Sequence, residues 1–188
     1  MPSWNDGNSC AARSDQSTTV PRAITKSTLL RTRTSATGSL ATAMMSALLP
    51  GARSLAERQY YAHPTNQFWR LLGEAIEQPL ADLPYDDRLT VLREAKVGLW
   101  DVIRSAERHT SSDSLIREAK AHDLAALMAD LPDLRMIAFN GGKAAAIGRR
   151  QLPPLEGVAV VDLPSSSAAH TIGFAAKLDR WLALRSAL

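Results

Sequence analysis

The densest group of functional side chains in this sequence lies in residues 49–69, which read LPGARSLAERQYYAHPTNQFW. The stretch contains a Pro-Gly turn, two adjacent tyrosines, a His-Pro step, the amide of Asn66 and a Phe-Trp pair. A tyrosine ring offers a flat face on which another ring can stack. An amide can orient water or polarise a bond, but it cannot take up a proton as a carboxylate does. This stretch is therefore the first candidate for a binding or catalytic site.

An amphipathic helix is predicted directly after these side chains. Pro64 suits the first turn of a helix, because its missing N–H would have no intrahelical partner there. Apolar residues then recur at spacings of three and four, which predicts one buried stripe: Phe68, Leu71, Leu72, Ala75 and Ile76. We expect a helix over residues 64–77 that holds the polar loop in place, as packed elements commonly do for functional loops.

Four apolar segments are predicted to form the strands of one sheet: residues 40–49, 97–103, 135–140 and 158–163. Valines make the last of these the clearest strand, whereas Ala, Leu and Met in the first favour helix. Helices are predicted between and after them, over residues 86–96, 114–131, 143–150 and 171–187. The alternation predicts an α/β fold, a three-layer sandwich whose central, mostly parallel four-stranded sheet is flanked by helices.

Ligands of parallel sheets bind outside the carboxyl ends of the strands. The loops that follow the predicted strands hold most of the unusual residues, so one cleft could gather them: residues 50–66, 101–113, 140–143 and 164–170. Asp101 ends the second strand, where a buried carboxylate could act or could pair with Arg104 or Arg108. The serine run that begins at Ser165 lacks the GxSxG pattern of a nucleophile. It fits a turn whose hydroxyls donate to phosphate oxygens, or a generic surface loop.

Composition bounds the class of protein. The chain has 188 residues, 45% of them hydrophobic, and a net charge of +3, so we expect a single domain over residues 41–188. Residues 1–40 are rich in Ser, Thr, Ala and Arg, which predicts a disordered or poorly packed tail, although a transit peptide or a DNA-binding arm has similar composition. With one cysteine and no apolar run near the roughly 20 residues that span a bilayer, we expect a cytoplasmic protein without a membrane partner.

Cofactor chemistry finds no support in the motifs. The segment Gly141-Gly142-Lys143 lacks the spacing of a phosphate-binding Walker loop. Its glycines would allow close packing of a strand on a helix, with exposed amides at the helix start as a secondary attraction for an anion. The four histidines share no metal-ligand spacing. We therefore predict no metal and no other cofactor.

Four segments, in this order, resemble one known family: LPGARSLAERQYYAHPTNQFW, GLWDVIRSAERHTSSDSLI, IAFNGGKAA and VVDLPSSSAAH. They are similar to the uracil-DNA glycosylase superfamily, and most closely to its hypoxanthine (deoxyinosine) DNA glycosylase branch. The resemblance covers residues 49–188, and its first motif is long enough to be specific. It implies a monomeric, monofunctional enzyme that hydrolyses the N-glycosidic bond of a deaminated base, hypoxanthine or uracil, flipped out of DNA.

The resemblance also implies roles for individual residues. It gives Asn66 the catalytic step and Tyr61 the stacking of the base, and it places further groups around the base or along the DNA. Base-binding positions are Pro50, Gly51, Ser54 and Asn140; DNA-binding positions are His63, Ser165, Ser166, Ser167 and His170. Read without the family, Asn66 could instead hydrogen-bond nearby backbone and Asn140 could simply form a turn. The chain has Ala168-Ala169-His170 where the family usually has Pro-Ala-Asn.

Two other functions fit the same residues. One is a catalytically degenerate member of the family that binds DNA without cleaving the glycosidic bond. The other is a small α/β hydrolase that acts on a nucleoside-type small molecule. Treatment of damaged duplexes and of free nucleosides distinguishes the three.

Overall fold

A parallel sheet forms the centre of the protein in the computed structural model, which describes residues 41–48, 50–108, 116–121 and 128–188. The described strands are β1 (Ala43–Ala47), β2 (Val97–Asp101), β3 (Ile103–Arg108), β4 (Ile116–Ala121), β5 (Met136–Asn140) and β6 (Ala159–Leu163). Four of them make the central sheet in the order β2-β1-β5-β6, and all neighbours in it run parallel. The predicted four-stranded sheet is thus confirmed.

The helices around the sheet are α1 (Ala52–Glu57), α2 (Phe68–Ile76), α3 (Tyr85–Glu94), α4 (Gly142–Gly148) and α5 (Phe174–Trp181). Two 3-10 turns, Arg149–Gln151 and Leu182–Ala187, continue α4 and α5. Successive side chains of a strand point to opposite faces of its sheet. Met45 of β1 accordingly joins a buried cluster with α2, α3 and α5, whereas Met44 joins one with α4. Helices therefore cover both faces, and the predicted three-layer sandwich is confirmed.

Strand β1 occupies a central position although its sequence, AMMSA, favours helix. Ala43 lies beside Val97 of β2 on one side and beside Met136 of β5 on the other. The side chains of Ala43, Met44 and Met45 are each 2% exposed. Hydrogen bonds to two neighbours and burial on both faces outweigh a weak local propensity. The strand predicted over residues 40–49 is therefore present.

The segment after β2 differs from the sequence-based expectation, which was a loop over residues 105–113 and a helix over residues 114–131. Strand β3 pairs antiparallel with β4 in a separate two-stranded sheet, so the helix prediction is wrong over residues 116–121. Residues 128 and 129 are helical, while 109–115 and 122–127 lie outside the described residues, as does the predicted tail of residues 1–40. Apolar spacing had indicated a helix, but strand pairing depends on a partner segment that spacing does not reveal.

Helix α2 begins at Phe68, later than the predicted start at Pro64. The backbone N–H of Asn66 donates to the carbonyl of His63, at 2.9 Å, which makes a turn before the helix. The Asn66 side chain then accepts a hydrogen bond from the N–H of Phe68, also at 2.9 Å. Pro64 therefore belongs to the turn, and the helix starts where the Asn66 side chain satisfies an amide that has no intrahelical partner.

Candidate functional site

A cleft of about 330 Å³ opens where β1, β5 and β6 end. Its volume lies at the lower end of the range for pockets that bind small organic groups. The cleft gathers every sequence-predicted site residue except His170: Pro50, Gly51, Ser54, Tyr61, His63, Asn66, Asn140, Ser165, Ser166 and Ser167. These residues come from three separate loops. Their convergence follows from the parallel sheet, whose strands deliver their loops to one edge.

Asn66 lines the cleft and also closes the turn before α2. Its Oδ1 accepts a hydrogen bond from the N–H of Phe68. This is the bond to nearby backbone that the residue type of Asn66 predicted as an alternative to catalysis. That bond uses one lone pair of the oxygen and holds the side chain in one orientation. A carboxamide keeps a second lone pair and two N–H donors. The turn therefore fixes the orientation of the amide group and leaves its second lone pair and its two N–H donors able to bind a ligand.

Tyr61 is held from two directions at the wall of the cleft. Its ring is stacked on that of Phe68, with centroids 3.6 Å apart and planes inclined by 11°. Its hydroxyl accepts a hydrogen bond from the Asn140 amide at 3.0 Å. Its backbone is left-handed, with φ at 53°, a conformation that non-glycine residues adopt mainly at constrained sites. Since Phe68 covers one face, a ligand could stack only on the opposite face.

Asn140 connects the end of β5 to both other walls of the cleft. Its Oδ1 accepts a hydrogen bond from the backbone N–H of Ser166 at 2.8 Å. Its Nδ2 donates to the hydroxyls of Ser166 and Tyr61, at 2.9 and 3.0 Å. Both amide protons are thus engaged within the protein, and only the second lone pair of Oδ1 is left to read a base edge.

Gly141 allows this connection by its backbone conformation. Its φ of 101° and ψ of 151° lie in a region that is essentially reserved for glycine. A Cβ at this position would lie 3.2 Å from the Cβ of Ser165. Gly141 therefore lets the chain turn from β5 into α4 close to Ser165 of the serine loop, whereas a Cβ on Gly142 would meet nothing within 4 Å. The close contact is with a loop, and not the expected packing of a strand on a helix.

The serine loop, residues 164–170, folds partly on itself. Ser165 Oγ accepts from the N–H of Ser167, and Ser167 Oγ accepts from the N–H of Ala169, both at 3.2 Å. These bonds engage the hydroxyl oxygens as acceptors, so their O–H groups remain able to donate to an anion. The carbonyl of Ser166 accepts from the backbone N–H of Gln67 at 3.0 Å. The loop is thereby joined to the residue that follows Asn66.

The remaining predicted residues differ in how they meet the cleft. Ser54 is buried, and its hydroxyl accepts from the N–H of Ala62 at 3.2 Å, so it shapes the loop between the Pro-Gly turn and Tyr61. His63 is exposed, and its Nδ1 accepts from the N–H of Thr65 at 3.3 Å. The Thr65 hydroxyl lies 2.9 Å from the same nitrogen, so the turn engages Nδ1 of the ring. His170 is also exposed but does not line the cleft.

Sequence reasoning left open the partner of Asp101, which proves to be Tyr60. Asp101 is 3% exposed, and its Oδ2 accepts a hydrogen bond from the Tyr60 hydroxyl at 2.9 Å. Burial raises the pKa of Asp101 from 3.8 to about 7, and it also raises the pKa of Tyr60. The other carboxyl oxygen accepts no hydrogen bond from the described residues. Tyr60 lines the cleft, so this pair lies directly behind its wall.

Sequence reasoning missed Lys177. It is 1% exposed, and its ammonium group donates to Gln67 Oε1 and to the carbonyl of Ser167, both at 2.9 Å. The sequence signal for its burial was its position along α5. Phe174, Lys177 and Trp181 recur at helical spacings of three and four, so the lysine falls on the apolar stripe of α5.

Two classes of feature are absent from the part of the chain that the structure describes. No group of His, Cys, Asp and Glu side chains there is arranged to hold a metal ion. No helix there is long and apolar enough to cross a membrane.

Comparisons with known proteins agree with the four motifs. A model of the uracil DNA glycosylase superfamily matches residues 40–185. A hypoxanthine DNA glycosylase of Methanosarcina acetivorans is 40% identical over 124 residues, which are 65% of this chain and 76% of that protein. A hypoxanthine DNA glycosylase of Methanosarcina barkeri is 40% identical over 96 residues, 51% of this chain and 61% of that protein.

The fold has a solved counterpart. The solution NMR structure of a Methanosarcina acetivorans protein, described as a candidate uracil DNA glycosylase, matches with a TM-score of 0.68 and 34% identity. The match covers 79% of this chain and 92% of that one. Sequence and fold agree over most of the described residues, and the chain belongs to the uracil DNA glycosylase superfamily.

Proposed function

We propose that this protein is a monofunctional DNA glycosylase that removes a deaminated base, hypoxanthine first and uracil second, by hydrolysing its N-glycosidic bond. The observation that carries the proposal is that Asn66 and Tyr61 line one cleft in a chain that is 40% identical to two hypoxanthine DNA glycosylases over 124 and 96 aligned residues. We extend the proposal to one catalytic domain over residues 41–188.

Base flipping is the first step that the cleft must support. A base inside a duplex is out of reach, and extruding it costs roughly a few kcal/mol. Stacking on an aromatic ring returns about 1–3 kcal/mol per base. Tyr61 can provide that ring because Phe68 and Asn140 already fix its position, so little entropy is lost when the base arrives.

Bond cleavage is the step that we assign to Asn66. As the C1′–N bond breaks, its electron pair leaves with the base and the sugar becomes oxocarbenium-like. Water must then bond to C1′ and lose a proton, while the base that left with the electron pair takes up a proton from solvent, so that charge balances. An amide is not a base at neutral pH, so Asn66 would orient the water or polarise the departing base. The turn that holds its Oδ1 supports this role because orientation is the main contribution that a neutral group can make.

Hydrolysis by water, rather than attack by a lysine, fits the positions of Lys143 and Lys177. Lys143 is exposed at the start of α4 and does not line the cleft. Lys177 is buried and donates to two acceptors, so its amine is not presented to a sugar. A Schiff base with the sugar would require an amine in the cleft.

DNA is the partner that the rim of the cleft fits. The hydroxyls of Ser165 and Ser167 can donate to phosphate oxygens, and the exposed ring of His63 lines the same cleft. His170 is exposed at the end of the serine loop, where its N–H donates to the carbonyl of Ser167 at 3.1 Å. We propose that the enzyme acts as a monomer, because the cleft is formed within one chain. Its substrate would place it with the chromosome, in the cytoplasm of a bacterial-type cell.

Excision from defined duplexes tests the proposal. The protein is incubated with duplexes that contain one deoxyinosine or one deoxyuridine, and abasic sites are detected by alkali cleavage. We expect cleavage at deoxyinosine, less at deoxyuridine and none in an undamaged duplex. Binding without cleavage would support the degenerate DNA-binding alternative, and cleavage of free nucleosides alone would support the small-molecule hydrolase. Equal activity of wild type and Asn66→Ala would refute the role of Asn66.

A further inference from the structure

Lys177 is a buried cation without a carboxylate among its described hydrogen-bond partners. Its side chain is 1% exposed, and its two acceptors are the neutral oxygens of Gln67 and Ser167. Desolvation lowers the pKa of Lys177. Burying a polar or charged side chain is unfavourable compared with an apolar one of similar shape. Packing stability alone therefore gives no reason for a lysine on the apolar stripe of α5.

The two acceptors belong to the two loops that must act together on a nucleotide. Gln67 follows Asn66 directly and precedes α2. Ser167 belongs to the serine loop at the rim of the cleft. A second contact lies beside the lysine, since the Gln67 N–H donates to the carbonyl of Ser166 at 3.0 Å. The ammonium group thus bridges the loop that carries the catalytic amide and the loop that faces DNA.

We propose that Lys177 is a positioning residue, which sets the separation between the Asn66 loop and the serine loop from behind the cleft. The inference rests on the proposed function for its catalytic consequence. Catalysis by orientation is sensitive to small displacements, and a shift of about 1 Å can lower a rate roughly 100-fold. Without the ammonium group, the two loops would keep the bond between Gln67 and Ser166 and the link through Asn140. Neither holds Ser167 against Gln67, so the amide of Asn66 would lose its fixed distance from the bound sugar.

Arg185 provides a control because it ties the C-terminal segment to the other end of α2, although it is exposed and also pairs with Glu77 at 3.2 Å. Its guanidinium donates to the carbonyls of Glu74 and Ala75, at 3.0 and 3.3 Å. Both residues join the C-terminal part of the chain to the region of α2: Arg185 bonds to α2 itself, and Lys177 bonds to Gln67, which directly precedes α2. Unlike Lys177, Arg185 does not contact a loop of the cleft, and it lines a different groove. Loss of Arg185 should therefore affect stability without changing the catalytic rate.

The catalytic test compares Lys177→Met and Arg185→Met with the wild type. Base release from a deoxyinosine duplex is followed with saturating enzyme in excess, which isolates the chemical step from binding. We expect the rate constant of Lys177→Met to fall by about 10-fold or more, and that of Arg185→Met to stay within about twofold of wild type. Equal rate constants for the two variants would overturn the inference.

Amide hydrogen exchange tests the bridge without any catalysis. Exchange of the Gln67 amide should accelerate in Lys177→Met but not in Arg185→Met, because only the first loosens the contact with Ser166. Gln67→Met, at a partly exposed position, removes one of the two acceptors of Lys177, and it replaces Lys177→Met in the test if that variant does not fold. We expect Gln67→Met to slow base release as well. Wild-type rates and unchanged Ser167 exchange in Gln67→Met would refute the bridge.

Failure of the two proposals can be told apart. A wild-type protein that releases no base would refute the proposed function, and the exchange measurements would still decide whether Lys177 holds the loops. A wild-type protein that releases base while both variants at the bridge behave like Arg185→Met would leave the proposed function standing and refute the bridge.

Discussion

The amide of Asn140 donates a hydrogen bond of 3.0 Å to the hydroxyl of Tyr61, although the two residues are 79 positions apart in the chain. The same amide group also donates to Ser166 Oγ and accepts from the Ser166 N–H. One side chain at the end of β5 thus fixes both the ring proposed to stack on the base and the loop proposed to meet DNA. Asn140 therefore contributes to the site by holding these two groups in position.

Replacement of Asn140 by alanine should destabilise the fold as well as the site. The buried N–H of Ser166 would lose its acceptor, and an unsatisfied buried donor costs about 1–3 kcal/mol. We expect the free energy of unfolding in urea to fall by that amount. Tyr61→Phe is the control, since it removes only one of the three bonds and should cost about 1 kcal/mol or less. A loss in Asn140→Ala no larger than that in Tyr61→Phe would contradict the bracing role.

Tyr61→Leu should weaken engagement of the flipped base. Leucine removes the ring, and base–aromatic stacking is worth about 1–3 kcal/mol, so the enzyme concentration that half-saturates base release should rise by about 5-fold or more. Tyr61→Phe keeps the ring and its contact with Phe68 and should stay near the wild type. The measurement is a titration of single-turnover rates on a deoxyinosine duplex. Equal half-saturation for the two variants would show that the base does not stack here.

The sheet could be predicted from sequence because a strand buried on both faces needs a run of apolar residues. That reason holds for β1 and β5, in which four of the five residues are buried. β6 lies at the edge of the sheet with only Leu163 buried, and it was predicted from its valines, whereas β1 was predicted from its place before the Pro-Gly turn rather than from its composition. The hairpin of β3 and β4 was missed because the spacing of Leu115, Ala119 and Leu124 fits a helical stripe. Whether such a segment pairs as a strand depends on its partner and on packing, which local periodicity does not contain.

The cleft could be predicted because loops that follow parallel strands meet at one edge. What sequence reasoning could not supply were the partners of single polar residues. Lys177 bonds to Gln67, 110 positions away, and Asp101 bonds to Tyr60, 41 positions away. The position of Lys177 on the apolar stripe of α5 indicated burial but not its partners, and an aspartate near two arginines suggests an ion pair. Only the assembled fold shows which groups each of them bonds to.

Gly141→Ala should be more damaging than the same change at the next residue. The positive φ of Gly141 and the nearness of Ser165 put strain on any side chain, at a cost of order 1–3 kcal/mol. A Cβ on Gly142 meets nothing within 4 Å, and alanine favours the helix that starts there. Thermal unfolding should therefore show a clear loss for Gly141→Ala and none for Gly142→Ala. Equal melting temperatures would contradict the backbone constraint.

Asp101 should make the stability of the protein fall as the pH rises. Burial raises its pKa from 3.8 to about 7 in the folded protein, so between roughly pH 4 and 7 the folded state keeps a proton that the unfolded state releases. The state that binds more protons loses relative stability as the pH rises. The contribution of Asp101 to the free energy of unfolding should decline across this window, by up to about 1.4 kcal/mol per pH unit.

Asp101→Asn isolates that contribution, because asparagine is neutral at every pH and its Oδ1 can still accept the hydrogen bond from Tyr60. Urea unfolding of both proteins at pH 5, 6, 7 and 8 gives a difference in which the titrations of all other groups cancel. We expect the variant to gain on the wild type steadily from pH 5 to pH 7 and then level off, since above the folded pKa both states of the wild type are ionised. A difference that stays constant from pH 5 to pH 8 would contradict the raised pKa of Asp101.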